Sequence, residues 1–168
     1  METAPAAPPA PANSAKSGLV SAIAIAALVA GTMDYTAAIT NYVLKGGRTP
    51  ILIAYYIASS LLGHDTAYNG GSVTAAFGIF LHYVIATGWT VLFFLLYPRI
   101  GAFGKIPILS GIVYGLFVWT MMNLVLVPLT RIPHSKFNAA NAAIQAGILV
   151  VCIGLPISLL AHRHYMKK

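Results

Sequence analysis

The chain has 168 residues, of which 58% are hydrophobic and 8% charged, against about 25% charged in an ordinary soluble domain. That balance excludes a soluble globular fold and, at this length, a separate catalytic domain beside the apolar runs. The net charge of +7 does not read as a nucleic-acid footprint, because the lysines and arginines stand at the ends of the apolar runs, where cations mark a membrane boundary. The lipid bilayer is the expected partner, and no nucleic acid is expected.

Taken in order, residues 1–17 form a Pro/Ala-rich tract with almost no side chain large enough to pack, and they are expected to be a disordered tail. Residues 18–165 then read as one transmembrane domain. Leu19 to Ala30 resembles a signal-peptide core, but one cation precedes it and the apolar run continues to Leu44, which favours an uncleaved first helix, TM1, over residues 19–44. Within TM1 lies Gly-Thr-Met-Asp-Tyr, Gly31 to Tyr35, which sets the only charge of the run inside the membrane. A carboxylate there costs about 3 kcal/mol on insertion scales, so it is expected to face a bundle interior or wet cavity and to find a partner. Ala27, Ala30, Gly31, Asp34, Ala38 and Asn41 recur at three- and four-residue spacing and share one side of TM1.

Lys45-Gly46-Gly47-Arg48-Thr49-Pro50 ends that helix with glycines, cations and a proline. The next apolar run, Ile51 to Leu62, has 12 residues, too few to cross a bilayer, and predicts an interfacial or re-entrant helix. His64 to Gly71 reads as a turn-rich loop. TM2 is expected over about 72–97, with Thr74, Gly78, His82, Ala86 and Trp89 on one side. TM3 follows over about 108–129 and opens with the GxxxG pair Gly111 and Gly115, a helix-packing pattern; Trp119 and Asn123 continue its spacing. TM4 is expected over about 138–162 and carries Asn141, Gln145, Gly147, Cys152, Gly154 and Pro156. Gly31, Gly78, Gly111, Gly115, Gly147 and Gly154 are expected to let neighbouring helices approach. Cys152 reads as a small buried hydrophobe.

The fold class expected is therefore all-α: an integral membrane four-helix bundle with an additional short helix between TM1 and TM2. Four crossings put both termini on one side. That side holds six cations, Lys16, Arg99, Lys105, Arg163, Lys167 and Lys168, against four, Lys45, Arg48, Arg131 and Lys136, on the other. The positive-inside rule places both termini in the cytoplasm.

Asp34 lies ten residues before the end of TM1 and His82 ten after the start of TM2, so both sit about 15 Å from the same, non-cytoplasmic, face. Asn41, Asn123, Asn141 and Gln145 fall in the same half of the bilayer. Two readings stay open. In one, these residues line an outward-facing polar vestibule that binds or relays protons or a small solute. In the other they fasten helices together, at about 0.6 kcal/mol per contact, in an accessory subunit of a larger complex or a homo-oligomer. No nucleophile elbow, phosphate loop or paired CxxC is present, so there are no grounds for an enzyme, and no metal or other cofactor is predicted.

The segments GTMDYTAA at Gly31 to Ala38, YYIASSLLG at Tyr55 to Gly63, LHYVIA at Leu81 to Ala86, the YG, MMN and VPL pieces between Tyr114 and Leu129, and IGLPI at Ile153 to Ile157 together resemble a group of small bacterial inner-membrane proteins, distantly YagU-like. The resemblance implies a four-helix protein of the bacterial inner membrane and supplies no activity, substrate or cofactor. Relatives often carry a histidine ahead of the GLPI-like segment, where this chain reads Gly147-Ile148-Leu149-Val150-Val151, so a two-histidine metal or haem site is not implied here.

Overall fold

The computed structural model describes residues 12–100, 105–132 and 138–166, with side chains from Gly18 onward. Six helices follow one another in these residues: α1 (Ala12–Leu44), α2 (Leu52–Leu62), α3 (His64–Asn69), α4 (Gly71–Leu96), α5 (Pro107–Leu129) and α6 (Ala139–Met166). Helices α1, α4, α5 and α6 are long and apolar enough to cross a membrane, with mean hydropathy from 1.6 to 2.3, while α2 is too short. The protein is thus an all-α, multi-pass membrane protein with a short helix between its first two spans. Between 17% and 22% of the most apolar stretch of each span is buried, so most residues of each span keep some apolar surface outside the bundle, as contact with a lipid bilayer requires.

Two expectations about the first half need correcting. Helix α1 begins at Ala12, so residues 12–17 of the tract expected to be disordered are helical; residues 1–11 lie outside the described residues. The loop expected over His64 to Gly71 contains α3. Glycines with positive φ bracket it, Gly63 at 82° and Gly71 at 64°, and such values suit a residue without Cβ. Inside it the Asn69 amide donates to the Asp65 carbonyl at 2.9 Å.

Helices α5 and α6 each contain a widened, π-type stretch, Met121–Leu126 and Val150–Gly154. Both immediately precede or overlap the reach of a proline. The ring of Pro128 crowds the carbonyl four residues back, at Leu124, and that of Pro156 crowds the carbonyl of Cys152; neither proline can supply the missing N–H. Widening the turn accommodates both defects.

Small residues bring the spans together. A Cβ on Gly111 would lie 3.0 Å from the Gly154 carbonyl oxygen, and one on Gly115 2.5 Å from Val150 Cα, so α5 and α6 cross nearly backbone to backbone. Gly78 receives the backbone of Ala54, seating α2 on α4, and Gly31 receives the ring of Tyr83 and the methyl of Ala86. Gly147 does not pack: a Cβ there would meet nothing within 4 Å, which corrects its expected role.

The buried core collects at one end of the bundle. Ala26 and Ala30 of α1, Phe93, Phe94 and Tyr97 of α4, Tyr114 and Val118 of α5, and Ile153, Ile157 and Ala161 of α6 form one cluster, with Leu19 and Tyr165 against it. Both ends of the described chain therefore lie at this aromatic end. Several polar groups there are satisfied between helices. The Tyr114 hydroxyl donates to the Trp89 carbonyl at 2.6 Å, Ser158 to the Pro107 carbonyl at 2.6 Å, and Tyr97 hydrogen-bonds His162 Nδ1 at 2.7 Å. The larger spaces lie toward the opposite, loop end, beside Leu44 and beside Thr130.

Candidate functional site

A cavity of about 100 Å³ sits where five helices meet. Asp34 of α1, Ile57 of α2, His82 and Trp89 of α4, Met122 of α5 and Leu149 and Ile153 of α6 are among its walls. Asp34 and His82, chosen from depth alone, are thus brought to one space. Met122 belongs to the widened stretch of α5, and Leu149 and Ile153 flank and enter that of α6. Both backbone irregularities border the cavity, a placement π-type turns often have at functional sites.

The Gly-Thr-Met-Asp-Tyr stretch works as a unit against α4. The carbonyl oxygen of Gly31 is 2.9 Å from His82 Nε2. A carbonyl can only accept, so Nε2 carries the proton and Nδ1 is the ring atom left to gain or lose one. The imidazole is flanked by Tyr35 and Tyr83, with ring centroids 5.2 and 5.5 Å away. Tyr83 is in turn tied to Thr32, hydroxyl to hydroxyl, at 2.9 Å. One helix turn further, Asp34 faces the cavity. Among the described residues no hydrogen bond or ion pair joins Asp34 to His82; they share a cavity and interact through it, and a direct pair is not formed.

The other polar residues expected in the vestibule are placed elsewhere. Asn123 faces outward and its amide donates to the Trp119 carbonyl at 3.0 Å, serving its own helix. Each four-residue step around an α-helix overshoots a full turn by about 40°, so three steps from Gly111 carry Asn123 off the packed face. The side-chain oxygen of Asn141 accepts from Lys45 Nζ at 2.8 Å, joining the loop ends of α1 and α6. Asn41 lines a separate groove of about 580 Å³ between α1 and α6, together with Thr32, Thr36, Thr40, Ile144 and Cys152. Gln145 is half-buried and lines neither space.

Tyr35, Tyr83, Trp89 and Ile57 were not picked out as site residues in the sequence reading. Tyr35 was within reach of it: four residues after Gly31, it shares that residue's side of α1. Ile57 belongs to a short helix whose facing the sequence does not reveal. Compared with protein-family models, curated protein sequences and solved structures, the chain matches none.

Proposed function

We propose that this is a bacterial inner-membrane protein that transfers or senses protons, with both termini in the cytoplasm and its polar site reached from the opposite side. One observation carries the reading: Asp34, the one acidic side chain inside the spans, and His82 face one cavity of about 100 Å³. That volume holds about three waters at ~30 Å³ each, enough to link a carboxylate to an imidazole and too little for an organic solute. A proton arriving through such water can rest on the Asp34 carboxylate or on His82 Nδ1, while the Gly31 carbonyl keeps the ring oriented. The six-to-four cation bias supports the orientation. The aromatic core at the other end supports access from the loop end. The resemblance to the YagU-like group belongs to this proposal and adds the bacterial inner membrane to it.

Proteoliposomes carrying an internal pH dye and driven by a potassium diffusion potential test it. The wild type should acidify or alkalinise the lumen with the sign of the potential, Asp34→Asn should abolish the movement, and His82→Ala should slow it about tenfold or more. Equal rates in all three would end the proposal.

A second reading, a structural or accessory subunit, is favoured by the open groove between α1 and α6. There Thr32, Thr36 and Thr40 line up at four-residue spacing, a small-residue surface suited to another membrane helix. Cysteine cross-linking from Thr36 to a partner or a second copy would support it.

A further inference from the structure

A larger cavity, of about 380 Å³, lies beside the central one between α2, α4 and the last turns of α5. Its walls are apolar for the most part, and Leu61 and Leu129 at its edge are exposed to the surroundings of the bundle. Ile57, Ile85 and Met122 line both cavities, so three aliphatic side chains form the partition. Met122 is the movable member: it is unbranched, with three rotatable bonds, and it stands on the widened stretch of α5. Taken together, the two spaces fall within the roughly 300–1,000 Å³ of pockets that hold small molecules.

The chemistry at the inner end selects the ligand. Beyond the partition are the Asp34 carboxylate and the Trp89 indole. A carboxylate in apolar surroundings seeks a positive partner, and an indole ring attracts one. No lysine or arginine lines either cavity, and His82 is the other titratable side chain at the inner end; an anionic head group would meet repulsion at Asp34, and a neutral one could hydrogen-bond there but would leave the carboxylate without a counter-charge.

The geometry points to a binding site for a hydrophobic amine, its ammonium beside Asp34 and Trp89 and its aryl or alkyl body in the cavity between α2, α4 and α5, reached sideways from the membrane. This deepens the proposed function and rests on it in one respect, that Asp34 presents an accessible carboxylate.

Calorimetric titration of the full chain in lipid nanodiscs, with empty discs subtracted, tests it with phenylbutylamine and its neutral counterpart phenylbutanol. The wild type should bind the amine saturably and about tenfold or more tighter than the alcohol. Asp34→Asn should reduce amine affinity to that of the alcohol without changing the alcohol. Met122→Trp, which fills the partition and leaves the charge, should weaken the amine by a similar factor, and Leu126→Trp in the outer cavity should do so if the first variant does not fold. Absence of saturable amine binding, equal affinity for amine and alcohol, or amine binding unchanged in Asp34→Asn would each overturn the inference. Proton movement without amine binding removes this site and keeps the proposed function; amine binding by a protein that moves no protons does the reverse.

Discussion

Gly147 and Gly154 stand seven residues apart on α6 and meet opposite surroundings. In a regular helix seven residues return to within about 20° of the same face, but the widened stretch Val150–Gly154 intervenes and shifts the phase. Gly154 therefore abuts the Gly111 carbonyl, whereas Gly147 faces open space. Gly154→Ala should cost about 1–3 kcal/mol through overpacking, while Gly147→Ala should be neutral or add up to about 1 kcal/mol from helix propensity. Thermal unfolding in detergent compares the two, and a Gly154→Ala protein as stable as wild type would remove the close α5–α6 crossing. At this scale the charged residue was legible and the uncharged amides were not. Asp34 stands out because a carboxylate in an apolar run demands a reason. Asn123 and Gln145 carry no such demand, since an amide can bond its own helix or remain at a half-exposed surface. Tyr35 and Tyr83, which flank His82, are inconspicuous among apolar neighbours.

Among the elements, the short helix decides how the site is enclosed. Helix α2 buries Ala54, Ala58 and Ser59, lays its backbone on Gly78 and contributes Ile57 to both cavities. Its C-terminal half is tied to the end of α5, where the Arg131 amide donates to the Ser60 carbonyl at 3.1 Å. A helix of 11 residues is about 16 Å long, well short of a bilayer, so its two flanks must emerge on one side. In a Cys152→Ala background, cysteines placed at Thr49 and at Thr66 should both react with an impermeant thiol reagent added from the same side. Labelling from opposite sides would mean a fifth crossing. The number and order of helices were readable because apolar runs and their glycine, proline and cationic boundaries are coarse signals. The widened turns were not read, although Pro128 and Pro156 announce them: a proline tells that the helix is disturbed, and only packing decides whether it ends, kinks or widens.

Across the whole molecule the two ends differ. The end where the described chain begins and finishes is filled by Phe93, Phe94, Tyr97 and Tyr114, and the short helix and the larger spaces lie toward the loop end. A bundle packed with aromatic rings toward one end has a direction, and on the six-to-four cation bias a reporter fused after Lys168 should report a cytoplasmic position; a periplasmic signal would reverse the access proposed for Asp34. On the proposed function, Asp34 exchanges protons with water in the cavity it shares with His82. Infrared difference spectroscopy of the protein in lipid films, stepping pH in H₂O and D₂O, reads that carboxyl directly. A carboxyl band should respond to the pH step, shift promptly on exchange into D₂O, be absent from Asp34→Asn and be displaced in His82→Ala. A carboxyl at Asp34 that neither titrates nor exchanges, or one indifferent to His82, would contradict it.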